Sequence, residues 1–150
     1  MDMAEEHLKL ENQICFSIYA AAREMTKMYK PLLQKLDVTY PQYLVLLVLW
    51  EEDSMTVNEL GRRLYLDSGT LTPMLKRMET SGLLERKRSP EDERRVIVTL
   101  TEQGRNAEKD ASDIPFQVID HLAMDEAELK QFKASLVKTL EHLHDRNEKS

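Results

Sequence analysis

Apolar residues recur at helical spacing between Leu10 and Tyr29: Ile14, Ile18, Ala21, Ala22, Met25 and Met28 fall on one stripe, with no glycine or proline between them. The pattern predicts one long amphipathic helix that stops at Pro31, because the residue before a proline is pushed out of the helical region. Thr39, with Gln42 three residues on, has the capping-box pattern, and Pro41 falls in the first turn. A second helix is therefore expected through Tyr43, Leu44, Leu46, Leu47, Leu49 and Trp50; it is apolar nearly all round and belongs at the centre of the fold. Another box, Thr56 and Glu59, opens a short helix through Val57, Leu60 and Leu64.

The next helix starts near Asp67 or Ser68. Leu71, Met74, Leu75 and Met78 face the core, Ser68, Thr70, Thr72, Lys76, Arg77 and Thr80 face outward, and Gly82 supplies the stop. Pro73 deletes a hydrogen bond to the carbonyl of Gly69, so the first turn is expected to be irregular. After Gly82 the period changes: Leu84 to Arg88 and Arg95 to Leu100 read as strands, joined by the polar stretch Ser89 to Arg94 as a hairpin with a charged tip. Thr101 caps a further helix interrupted near Pro115, and Asp125 caps a last one carrying Leu129, Phe132, Leu136, Leu140 and Leu143. The expected fold is mainly α with a small β-hairpin wing. A helix pair followed by a hairpin is the order of a winged helix-turn-helix, whose second helix enters the DNA major groove.

Composition narrows the class. The 150 residues, 41% hydrophobic and 32% charged, suit one domain able to hold a core without metals or disulfides. Disorder, collagen-like repeats and a disulfide scaffold are excluded. No apolar run approaches the ~20 residues of a membrane span, and the opening residues lack the basic-then-apolar pattern of a secretory signal. The expected location is cytoplasmic, with no membrane partner. The net charge of −6 argues against a polyanionic partner, but the distribution reverses that reading: residues 54–100 carry nine basic against seven acidic groups, whereas acidic groups prevail on both sides. Lys76, Arg77, Arg86, Lys87, Arg88, Arg94 and Arg95 form the sharpest basic cluster, and screening beyond about 8–10 Å makes a local patch matter more than the sum.

The chemistry of that segment suits DNA. Short hydroxyl residues at the start of the outward-facing helix can approach bases and phosphates, and its N-terminus favours anions. Arg77 can make a bidentate contact to guanine or phosphate. Arg94, near the hairpin tip, suits a narrow minor groove, with Asp92 holding it in position. The competing reading is a scaffold whose arginines are merely solvated.

Cys15 is the single cysteine, so an internal disulfide is closed to it. It is expected one residue beside the apolar stripe, at a flank of the core, with Tyr19 at i+4 on the same face. Without helpers such a thiol is an inert small hydrophobe; with hydrogen-bond donors near the sulfur it ionises and attacks peroxides. Tyr29 is too far along the helix to reach the sulfur of its own chain, so it would come from a second subunit. Tyr40 could come from either. An enzymatic thiol-peroxidase reading needs an arginine near the sulfur, and Arg23 lies two turns away, roughly 12 Å of rise. His7, His121, His142 and His144 show no metal-ligand spacing, and no cofactor is implied.

The run LYLDSGTLTPMLKRMETSGLLERKRSPEDERRVIVTLTEQG, Leu64 to Gly104, resembles the recognition helix and wing of the MarR family of winged-helix repressors, whose wing motif is similar to Asp92-Glu93-Arg94-Arg95. Extended outward to Cys15, Tyr19, Tyr29 and Tyr40, the chain resembles the organic hydroperoxide resistance regulators, a peroxide-sensing branch of that family, over essentially its whole length. The resemblance implies a single domain over residues 1–150: a DNA-binding lobe at about 54–100 and dimerisation helices at about 8–30 and 102–146. It implies a homodimer on a pseudo-palindromic operator in double-stranded DNA, with Ser68, Thr70, Lys76 and Arg77 reading or flanking bases and Arg86, Asp92 and Arg94 serving the wing. It also implies that Cys15, Tyr29 and Tyr40, with Tyr19 beside them, sense an organic hydroperoxide. Cys15 would pass to a sulfenic acid and then to a mixed disulfide with a small cellular thiol, releasing the DNA. The alternative is a repressor of the same type that answers to a small aromatic ligand, with Cys15 structural.

Overall fold

The computed structural model describes residues 3–150, which form two compact units, one ending at Ser112 and the other running from Asp113 to Ser150. In the first unit, α1 (Met3–His7) and a 3-10 turn (Leu10–Asn12) precede α2 (Ile14–Leu33). The long helix therefore starts four residues later than its apolar pattern predicts. The amides of Asn12 and Gln13 reach back to the carbonyls of Glu6 (2.7 Å) and His7 (2.7 Å), which holds this stretch out of the helix. At its other end α2 runs through Pro31 instead of stopping there. In a last turn the proline costs one hydrogen bond, and burial of Leu33, worth about 1.5–3 kcal/mol, offsets it.

After a 3-10 turn (Gln34–Leu36), α3 (Tyr40–Glu51) opens with the expected capping box, in which the Gln42 amide N–H donates to Thr39 Oγ1 (3.4 Å) and the Thr39 N–H to Gln42 Oε1 (3.0 Å). Val45, Leu46, Val48 and Leu49 of α3 are buried, which makes it the central helix. β1 (Met55–Thr56) was not legible in the pattern, since two residues cannot show an alternation. It is held by pairing Met55 with Val98, and by Asp53, whose carboxylate accepts from the N–H of Leu100 (2.9 Å).

α4 (Val57–Leu64) and α5 (Ser68–Thr80) form the helix pair. Gly61 is buried at their turn, where a Cβ would lie 2.5 Å from the carbonyl oxygen of Leu66, so a glycine is what allows this close approach. α5 is α-helical throughout, contrary to the irregular first turn expected from Pro73: Gly69 carries no side chain to crowd the ring, and Asp67 caps the helix. Leu71, Met74, Leu75 and Met78 are buried together with Leu60, Leu83, Leu84, Val98 and Leu100. β2 (Leu84–Arg88) and β3 (Val96–Leu100) pair antiparallel in the register Leu84 with Leu100 through Arg88 with Val96, giving a three-stranded sheet of order β1-β3-β2. Thr101 then caps α6 (Glu102–Ala111), accepting from the Gly104 N–H (3.1 Å) while its own hydroxyl donates to the Gly82 carbonyl (2.6 Å).

The second unit holds α7 (Ile114–Leu122) and α8 (Glu126–Glu148), separated by a left-handed Ala123 (φ 54°) and an Asp125 cap that accepts from the Glu128 N–H at 2.8 Å. Along α8 the large residues Phe132, Leu136, Val137, Leu140 and Leu143 are exposed in the single chain. No helix among the described residues is long and apolar enough to cross a membrane.

Candidate nucleic-acid interface and thiol site

The outward face of α5 carries Ser68, Thr70, Lys76 and Arg77, all exposed, as the polar half of its pattern requires. Its N-terminus is fixed by Asp67, whose Oδ1 accepts from the Thr70 N–H at 2.7 Å; that bond holds the Asp67 carboxyl below the usual carboxylate range. Beside it an open polar cavity of about 280 Å³ runs from the start of α4 to the wing, lined by Asn58, Arg62, Ser68, Thr72, Arg94 and Arg95 among others. Asn58 and Arg62 carry no signal of their own in the sequence, because the groove that gathers them with the outward-facing Thr72 and with Arg95 of the basic cluster forms only on folding.

At the wing tip Asp92 Oδ1 accepts from both the backbone N–H (3.1 Å) and Nε (3.2 Å) of Arg94, bonds that lower the Asp92 pKa. The Arg94 side chain stays 91% exposed, oriented yet open to solvent. Arg86 behaves differently. Its Nε and Nη2 donate to Glu79 Oε1 (3.2 and 3.1 Å) and its backbone N–H to Glu79 Oε2 (2.9 Å), so its charge is met inside the chain. A partner seven residues away across a turn leaves no periodic signature in the sequence.

Cys15 sits in the first turn of α2 and is exposed, along with Ile14, Phe16, Ile18 and Tyr19. This corrects the expected place at a flank of the core. Of the described residues of α2 only Leu33 is buried, so the stripe that reads as core-facing lies uncovered in the single chain. Tyr19 is engaged elsewhere: its hydroxyl accepts from Arg23 Nη1 (3.3 Å), and the Arg23 guanidinium lies 5.7 Å from its ring centre.

Tyr29 and Tyr40 do come together, with ring centres 4.4 Å apart. Tyr43, which carried no signal beyond that of a core aromatic, is 5.8 Å from Tyr29 and edge-on to Trp50. Burial, then the neighbouring phenols, push Tyr29 up to about 12, and burial raises Tyr40 as well. Both phenols are therefore neutral donors at ordinary pH. Fourteen residues of helix separate Tyr29 from Cys15, about 21 Å of rise, so the pair and the thiol are not joined within one chain. Beside Tyr40 lies an open, largely apolar cavity of about 640 Å³, bordered by Thr26, Lys30, Leu33, Val38 and Pro41. Among the described residues no group of His, Cys, Asp or Glu could hold a metal ion.

The family described as transcriptional regulator SarA/Rot matches residues 27–111. The organic hydroperoxide resistance transcriptional regulator of Bacillus subtilis (strain 168) is 56% identical over 147 residues, covering 98% of this chain and 100% of that one. The chain belongs to the MarR/SarA family of winged-helix transcriptional regulators. Solved MarR/SarA structures share its fold. Reduced AbfR bound to DNA is 42% identical, covers 95% of this chain and 99% of its own, and superposes with a TM-score of 0.76. AbfR, a protein of Staphylococcus epidermidis, also matches in its disulfide-formed state, at 42% identity, 94% and 96% coverage and a TM-score of 0.65. A mutant of MarR from E. coli complexed with operator DNA matches at 27% identity, 93% and 99% coverage and a TM-score of 0.77. These relatives are described as transcriptional regulators.

Proposed function

We propose that this MarR/SarA protein is a dimeric DNA-binding repressor of cytoplasmic location that senses organic hydroperoxides by oxidation of Cys15 and then releases its operator. In this reading α5 enters the major groove with Ser68, Thr70, Lys76 and Arg77, and Asp92 aims Arg94 into the adjoining minor groove. The DNA-bound relatives support the first half of the reading, and the hydroperoxide regulator at 56% identity supports the second.

The observation that carries the sensing half is the Tyr29–Tyr40 pair, two protonated phenols in contact, in a chain whose cysteine lies exposed on an apolar face. A second copy covering that face would offer its phenols to the sulfur and favour the thiolate. The thiolate sulfur attacks the outer peroxide oxygen, the O–O bond breaks, and an alkoxide leaves and takes up a proton; Cys15 becomes a sulfenic acid. A small cellular thiol then condenses with it, giving a mixed disulfide and water. Either product is bulkier and more polar than a thiol and forces the packing apart. Releasing DNA 100-fold requires about 2.7 kcal/mol of difference between the two states.

Gel-shift titration of the wild type and Cys15→Ser with an alkyl hydroperoxide tests this. Both should bind operator when reduced, and only the wild type should let go. The cavity beside Tyr40 favours a second reading, a small aromatic effector with Cys15 structural. In that case Cys15→Ser would respond to the effector as the wild type does.

A further inference from the structure

β2 is an outer strand of the sheet, so the N–H groups on its far side need partners from outside the sheet. Arg86, in the middle of β2, has one: its N–H donates to Glu79 Oε2 at 2.9 Å, while Nε and Nη2 converge on Oε1 at 3.2 and 3.1 Å. Glu79 stands in the last turn of α5, next to the helix's final residue, Thr80. Both oxygens of one carboxylate thus tie the recognition helix to the wing by three hydrogen bonds, two of them made by a charged guanidinium. The Arg86 side chain is only 22% exposed, and its charge is neutralised where it stands. An arginine so held makes a poor phosphate ligand, because reaching DNA would break three bonds and leave Glu79 facing the polyanion.

We propose that Glu79 is a positioning residue that sets the wing against the recognition helix, and that Arg86 acts through this clamp and does not touch DNA. The proposal rests on the DNA-binding reading above. The tip beyond Arg86 carries Arg94, so the clamp fixes where that arginine meets the groove. Loss of the clamp leaves α5 able to dock and lets the wing wander.

The test uses a DNA duplex that the wild-type protein selects from a random-sequence pool, with Glu79→Gln, Glu79→Ala, Arg86→Gln and the double variant Glu79→Ala/Arg86→Gln. Each single variant should lose affinity about 10-fold, within the range of coupled residues, and the double variant should lose no more than a single one. The slope of log affinity against log salt should fall by the same small amount in all four variants, because each loses the contact that the wing places through Arg94. Hydroxyl-radical protection in the minor groove at the site flanks should disappear, while protection of guanine N7 in the major groove persists. A merely structural role would lower the melting temperature and leave both footprints of the folded fraction intact. Glu79→Gln keeps an oxygen for the Arg86 N–H, so it reports even where Glu79→Ala does not fold. A slope lower by a further amount of about 0.9 in Arg86→Gln than in Glu79→Gln would make Arg86 a phosphate ligand and overturn the inference. Tighter binding by Glu79→Gln, or unchanged footprints in the folded variants, would overturn it as well. Failure of the wild type to enrich any duplex would overturn the DNA-binding reading itself, a result distinct from these.

Discussion

Cys15 stands between Ile14 and Phe16, both exposed, with no cationic residue within one turn of helix on either side. Tyr19, the neighbour at i+4, has its hydroxyl committed to Arg23. In the sensing function proposed above, stabilising a thiolate falls to Tyr29 and Tyr40 of a second copy, and hydrogen bonds to a charged group are worth about 1.5–3 kcal/mol each. Tyr29→Phe or Tyr40→Phe should slow oxidation of Cys15 by an alkyl hydroperoxide roughly 10- to 100-fold, measured as the rate of sulfenic-acid trapping, with operator affinity in the reduced state unchanged. The phenols also titrate distinctively. Absorbance at 295 nm should show Tyr29 ionising near 12, returning to the ordinary value of 10 on unfolding. Between those two values the folded chain keeps a proton that the unfolded chain has released, so stability should fall as pH rises through that window. The sequence exposed Cys15, Tyr29 and Tyr40 as candidates but not the state of the thiol, because an amphipathic stripe reports that a face needs cover and not whether its own chain supplies it.

At the scale of elements, what was legible was what is local. The boxes at Thr39 and Thr56 and the caps at Thr101 and Asp125 each join residues three apart and stand where their spacing predicts, and Asp67 settles a start that the pattern left between Asp67 and Ser68. β1 and the Glu79–Arg86 clamp were illegible because each depends on residues brought together by the fold. Pro31 misled for a related reason: tertiary burial of Leu33 overrode a local rule. Gly61→Ala should destabilise the chain by about 1–3 kcal/mol, read from the urea midpoint, because its new methyl group meets the Leu66 carbonyl in the turn between α4 and α5. Thr101→Ala should cost about 0.5–2 kcal/mol, losing the α6 cap and the bond to Gly82 together. Asp67, Glu79 and Asp92 all accept backbone hydrogen bonds that lower their pKa values. Their contribution is present above the ordinary carboxylate pKa of about 4 and is lost as pH falls through the lower folded values, so acid should loosen the DNA-binding lobe first. Amide exchange across α5 and the wing, compared at pH 7 and pH 3, checks this.

At the scale of the molecule, the large exposed apolar residues are not scattered. Ile14, Phe16 and Ile18 line α2, and Phe132, Leu136, Leu140 and Leu143 line α8 at three- and four-residue steps. Large apolar residues left exposed on a helix mark a surface that another molecule covers, and in the dimer proposed above that molecule is an identical chain. The same assembly would satisfy two further needs: a second set of phenols for Cys15, and two recognition helices about 34 Å apart for successive major grooves. Sedimentation equilibrium at micromolar concentration should therefore give twice the 17.5 kDa chain mass. Leu136→Glu places an unpaired charge on the face that the proposed dimer would cover, and that dimer should dissociate at least 100-fold more readily, corresponding to about 3 kcal/mol. That variant should lose operator affinity and react with hydroperoxide no faster than a free cysteine. A monomeric Leu136→Glu whose Cys15 oxidises at the wild-type rate would show that the thiol needs nothing from a partner, and would return its activation to residues of its own chain.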